Sequence, residues 1–129
     1  MSRVVHFEIH TENPERCAQF YKAVFDWDIK KWDGPIDYWM VITGANDKPG
    51  INGGLFIRKG PRPIEKQAIN AYVCTIEVEN IDVTIEKALT AGATIDVPKQ
   101  AIPFVGHLAY LRDVDLNFFG VMQSDPSVR

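Results

Sequence analysis

The chain has 129 residues, 46% of them hydrophobic, which suits one ordinary domain with a real core and excludes general disorder. Seventeen acidic against fourteen basic residues give a formal charge of -3. Arg58, Lys59 and Arg62 flank one turn rather than forming a stripe, so no partner with a phosphate backbone is expected.

The opening MSRVVHFEIH holds no apolar signal core, and no apolar run is long enough to span a bilayer. A cytoplasmic location without membrane association is therefore expected. Val4–His10 alternates, with Val5, Phe7 and Ile9 on one face and His6, Glu8 and His10 on the other. Asn13 then caps a helix whose first turn accepts Pro14. Cys17, Phe20, Tyr21, Val24 and Phe25 follow helical spacing and make one stripe able to cover the apolar strand face. Strands are expected at Asp28–Trp32, Tyr38–Thr43 and about Gly54–Ile57, with turn-rich GANDKPGINGG before the last of these.

The arrangement returns after the joint RKGPRPIEKQ (58–67). AYVCTIEV reads as a strand with Tyr72, Cys74, Ile76 and Val78 on its apolar side, so that Cys74, like Cys17, is expected as a buried thiol. A helix follows with Ile81, Ile85, Ala88 and Leu89 on its packing side and Gly92 as its left-handed cap. Thr94–Val97, His107–Leu111 and Asn117–Val121 complete the set of strands. Aligning Asn13 with Asn80 superposes the strand-helix units at an offset of 67. The order is β-α-β-β-β twice: an α+β chain of two tandem βαβββ modules, about 3–60 and 68–123, in one domain over 1–125 with a tail at 126–129. A Rossmann fold is disfavoured, since GxGxxG and GxxxxGK[ST] are absent and helices are too few.

If each helix covers one strand face, the opposite faces can curl and enclose a small-molecule pocket into which His6 and Glu8 point. Trp39, in the strand-like IDYWMVIT, offers an indole to that pocket, with Tyr38 and Met40 in the opposite phase. Phe104 and His107, in PFVGH, stand at a plausible rim. Glu8 is the best general base and His6 the accompanying acid or polar anchor.

HFEIHTENPERCAQFYKAVFDWDI, GINGGLF and AGATIDVPKQAIPFVGHLAYLRDVDLNFFGVMQ, with the repeat, resemble the vicinal-oxygen-chelate superfamily of glyoxalases, bleomycin-resistance proteins and extradiol dioxygenases. The resemblance covers Arg3 to Gln123 and is most similar to small glyoxalase-like bacterial proteins. It implies a curved, cup-like mixed sheet with helices outside, and a homodimer, for which Trp27 and Trp32 near strand edges would serve. It also implies a divalent metal held by His and Glu from both halves. His6 falls at the first ligand position, but the others fall near Gly54 or Leu55, at Val73 and at Gly120, none of which can ligate. Leu116 stands where the family commonly has glycine before the closing strand.

The expectation is thus a metal-independent pocket with no cofactor, in a lyase or isomerase of the glyoxalase-like group. The alternative metal site would combine His6, Glu8 and His107. Two further readings compete: a non-catalytic binding or bleomycin-resistance-type sequestration protein, and a structural or regulatory dimeric module.

Overall fold

The computed structural model describes residues 2–129, which fall into two compact units divided between Arg62 and Pro63. The division falls inside the 58–67 joint. Each unit is one βαβββ module, so the α+β class with two repeated modules holds. Among the described residues no helix is long and apolar enough to cross a membrane.

The first unit runs β1 (Phe7–Thr11), α1 (Pro14–Phe25), β2 (Asp28–Lys31), β3 (Tyr38–Ile42) and β4 (Gly53–Ile57). Asn13 accepts a hydrogen bond from Arg16 N at 3.1 Å, satisfying one of the free amides at the start of α1. Cys17, Phe20, Tyr21 and Val24 are buried as the helical spacing requires, and Asp26 ends the helix in the left-handed region. The strands lie in the order β1-β4-β3-β2, with β1 parallel to β4 and the remaining pairs antiparallel. Ile29, Val41 and Leu55 are buried on the side turned to α1, while Met40 and Ile42 stay exposed on the other. The first strand begins at Phe7 rather than Val4, and Val4 and Val5 are exposed because the ladder to β4 starts at Phe7.

The second unit runs β5 (Thr75–Glu77), α2 (Ile81–Thr90), β6 (Thr94–Ile102), β7 (Gly106–Arg112) and β8 (Phe118–Ser124), in the order β5-β8-β7-β6. The side-chain oxygen of Gln123 on β8 accepts from Ile81 N at 2.9 Å and so ties the start of α2 to the sheet. Three expectations are corrected here. The strand read from Ala71 to Val78 shortens to Thr75–Glu77, leaving Tyr72 94% exposed and Cys74 exposed, because β5 has only the β8 edge to pair with and its ladder starts at Thr75. Leu89 is also exposed, and Thr84 takes its place on the buried stripe of α2. The strand expected at Thr94–Val97 extends to Ile102 through two irregularities around Pro98, which an edge strand tolerates since proline has no amide to donate.

The turn between β7 and β8 shows why Leu116 replaces a glycine without loss of the turn. Leu116 adopts φ 65°, the conformation glycine takes freely. Asp113 holds it there, accepting from Asp115 N at 2.8 Å and Asn117 N at 3.0 Å. Arg112 binds this turn to its surroundings: its Nε donates to Asp96 at 3.0 Å, and its terminal nitrogens reach the carbonyls of Leu116 at 3.4 Å and Gln67 at 3.3 Å. The guanidinium also lies 5.2 Å from the Phe118 ring centre. Since Arg112 is buried and its contacts converge from three segments, Arg112→Met should lower unfolding stability by about 2 kcal/mol, the scale of a lost hydrogen bond to a charged group. Urea denaturation checks this, and an unchanged midpoint would contradict it.

Glu12, just after β1, gathers Arg16, Arg62 and Arg58. The hydrogen bond from Arg16, followed by that from Arg62 and by the Arg62 and Arg58 charges, holds its carboxyl below the ordinary 4.5 despite opposing desolvation. A depressed folded value means the contribution is complete above the unfolded value and fades as pH falls through the folded one. Denaturant midpoints of the wild type should therefore drop more steeply than those of Glu12→Gln between about pH 5 and 3. Parallel curves would remove this role.

Candidate functional site

The site is built on the open face of the first sheet. Parallel pairing of β1 with β4 sets Glu8 beside Gly54 and His10 beside Phe56, and antiparallel pairing sets Met40 and Tyr38 on their far side. Since strand side chains alternate, Glu8, His10, Phe56, Tyr38 and Met40 share one face. His6 precedes β1 and completes the group.

Tyr38 is its centre. The His6 Nε2 lies 2.7 Å from the Tyr38 hydroxyl, which donates to Glu8 Oε2 at 3.3 Å. The other carboxylate oxygen of Glu8 is 3.0 Å from His10 Nε2. The run His6–Tyr38–Glu8–His10 thus crosses β3 and β1 without interruption. Its seat is Gly54, where an added Cβ would lie 1.8 Å from the Tyr38 hydroxyl and 2.0 Å from its Cζ. Only glycine lets the phenol lie across β4 and reach Glu8. The Glu8–His10 contact is about half exposed, so it contributes at most ~1 kcal/mol to stability and does not hold the arrangement alone.

Burial raises the Tyr38 phenol above its ordinary 10.0, with the Glu8 charge and the hydrogen bond to Glu8 acting in the same direction. The phenol is accordingly a neutral donor at physiological pH. Beside it stand one carboxylate and two imidazoles, each able to hold or release a proton.

Of the residues expected from sequence, His6 and Glu8 are brought together, through Tyr38. Trp39 is corrected: it pairs with Leu55 and Lys31 on the side turned to α1, with Lys31 Nζ 5.9 Å from its ring, and Tyr38 takes the open face instead. Apolar residues in both phases of YWMVI left the choice to the β3–β4 register. In the second unit, His107 pairs with Gln123, whose side chain caps α2, and so lies on the α2 side of its sheet. Its charge helps hold Asp125 below the ordinary carboxyl value, after the hydrogen bonds from Ser127. Phe104 sits at the tip of the β6–β7 turn, 66% exposed, with the Arg129 guanidinium 4.8 Å from its ring. A hollow bounded by Glu77, Glu79, Gln123 and Ser124 also belongs to this unit and holds none of the expected residues.

The metal implied by the resemblance does not fit these residues. Where a ligand would project at Gly54, the Tyr38 ring fills the space. At Gly120 an added Cβ would lie 2.9 Å from Thr75 Oγ1 and 3.1 Å from Tyr110 Cε1. Among the described residues, no group of three or more His, Cys, Asp or Glu side chains that could hold a metal ion is found. Sequence reading missed Tyr38 and Gly54. The signal was the Gly-Gly pair inside an otherwise apolar strand, which marks a close approach by a neighbouring group.

Residues 3–44 match the family model of the bleomycin resistance protein-like N-terminal domain. No curated protein sequence matches the chain. Among solved structures, a glyoxylase/bleomycin resistance protein/dioxygenase domain from Frankia sp. EAN1pec superposes with a TM-score of 0.71 at 19% identity, covering 97% of this chain and 99% of that one. TioX from Micromonospora sp. ML1 gives 0.67 at 16% identity over 96% and 100%. The fosfomycin resistance protein FosX from Listeria monocytogenes gives 0.71 at 13% identity over 97% and 94%. The chain carries the fold of the glyoxalase/bleomycin-resistance/dioxygenase proteins, the vicinal-oxygen-chelate superfamily. Within that fold, the matched family segment contains His6, Glu8, His10 and Tyr38.

Replacing Glu8 by Gln removes a negative charge and a carboxylate acceptor from the phenol. The Tyr38 titration, followed by NMR of its ring, should move down towards 10.0 and stay above it, because burial persists. An unmoved titration would dissociate Tyr38 from Glu8.

Proposed function

We propose that this glyoxalase-like protein binds a small carbonyl compound on the open face of its first module and moves a proton on it without a metal, as a lyase or isomerase. The carrying observation is the hydrogen-bonded run His6–Tyr38–Glu8–His10. Glu8 takes a proton from carbon next to the carbonyl, and His6 protonates the oxygen on which charge develops. Phe56 and Met40 supply apolar contact on the same face, and the half-exposed carboxylate is open to an incoming ligand.

A second reading is non-catalytic binding or sequestration. It is favoured by the aromatic character of the face, where the Phe56 ring lies 6.0 Å from both Tyr38 and His10. In that case the polar groups satisfy ligand atoms and no bond changes.

Carbon-bound hydrogen exchange in D2O separates the two. Protein purified without chelator is incubated with small carbonyl compounds bearing α-protons, dihydroxyacetone and pyruvate among them, and exchange is followed by NMR. Wild type should accelerate exchange of at least one compound, with EDTA without effect, and Glu8→Gln should lose about 100-fold of the acceleration. Binding without exchange would favour sequestration. Stoichiometric bound divalent metal, or loss of exchange on chelation, would overturn the metal-free reading.

A further inference from the structure

Resting on that reading, we infer that Tyr38 is a proton bridge joining Glu8 and His6 into one acid–base unit, and that Gly54 is the positioning residue that seats it. The phenol touches both partners, at 2.7 and 3.3 Å, and Tyr38 on β3 reaches Glu8 and His6 on the β1 side of β4 only because nothing projects from Gly54.

The proton inventory is closed. A phenol has one hydrogen. When it is donated to Glu8 Oε2, His6 Nε2 carries the hydrogen donated to the phenol oxygen. With the phenol turned to His6 Nε2 and the imidazole hydrogen on Nδ1, Glu8 takes the proton from carbon, the C–H bond breaks and its electron pair moves to the carbonyl oxygen. The proton on Glu8 then passes to the phenol oxygen, the phenol proton passes to His6 Nε2, and His6 Nδ1 gives its proton to the charged oxygen. Glu8 is left ionised and accepting from the phenol again. No co-reactant is needed, and no separated pair of charges is left beside the apolar face. The substrate class is a carbonyl compound isomerised by moving one proton between neighbouring atoms on one face.

This also gives the raised phenol a purpose. A tyrosine held neutral passes a proton on and is restored in the same step, whereas an ionised one would only accept. His10, on the outer oxygen of Glu8, orients the carboxylate from the other side.

The test is a double-mutant cycle read by NMR at constant pH, independent of turnover. Glu8→Gln should shift the His6 imidazole nitrogens when Tyr38 is present and leave them unshifted in the Tyr38→Phe background. Gly54→Ala should abolish the coupling as Tyr38→Phe does, with an unchanged denaturation midpoint, since the clash is with the movable end of the ring. In the D2O assay Tyr38→Phe should lower exchange about 100-fold. Coupling that survives Tyr38→Phe, or exchange that is unaffected by it while Glu8→Gln abolishes exchange, would overturn the bridge and leave the proposed function standing. Wild-type protein that exchanges none of the carbonyl compounds but shows the coupling would sustain the bridge and sink the proposed reaction.

Discussion

The parallel pairing of β1 with β4 is the constraint on which the rest of the first module depends. Two parallel neighbours cannot be linked by a tight turn; here α1 carries the chain from β1 to β2 at the far edge, and β3 and β4 return it to pair beside β1. The pairing puts Glu8 level with Gly54 and leaves β3 to bring Tyr38 and Met40 to the far side of the same strand. A slip of one residue would turn Glu8 and His10 towards α1 and Phe7 and Ile9 to the open face. Phe7 and Ile9 resist such a slip, because they would have to leave the α1 side of the sheet, where Phe7 packs 5.9 Å from the Trp27 ring. Packing on one side of the sheet therefore fixes polar chemistry on the other.

Gly54 shows how an absent side chain can be as consequential as a present one. In a strand, glycine costs packing and backbone entropy, so its retention between buried neighbours calls for a compensating contact. The Tyr38 ring supplies it, covering the bare backbone and carrying its hydroxyl to Glu8. The position that the superfamily resemblance reserves for a ligand thus becomes a groove for a phenol.

How much of this was legible in the sequence depended on whether a feature was local. The helices were, since Asn13 with Pro14 and the stripe from Cys17 to Val24 are short-range signals, and so was the duplicated β-α-β-β-β order. The polar face of β1 followed from alternation alone. The phase of β3 did not, because Tyr38, Met40 and Ile42 are as apolar a set as Trp39 and Val41, and only pairing with β4 decides between them. Cys74 failed for a related reason: alternation assigned it a covered face, but the strand is too short to carry the residue into the sheet's protected part. The Glu8–Tyr38 contact joins residues 30 apart and rests on a register that no local pattern encodes.

The second module shows what duplication preserved and what it released. Thr75 stands beside Gly120 as Glu8 stands beside Gly54, and a tyrosine again lies against the glycine. Here, however, Tyr110 comes from directly across the ladder and stacks on Phe118 at 5.0 Å, and the Arg112 guanidinium lies against the same Phe118 ring. Threonine cannot serve as a carboxylate base, and Val73, at the place equivalent to His6, cannot exchange a proton at all. The glycine that admits an aromatic ring is thus common to both modules, whereas the hydrogen-bonded His6, Tyr38 and Glu8 side chains belong to the first. The second module instead carries the buried Arg112, whose hydrogen bonds to Asp96 and to the Gln67 carbonyl tie β7 to β6 and to the segment before β5.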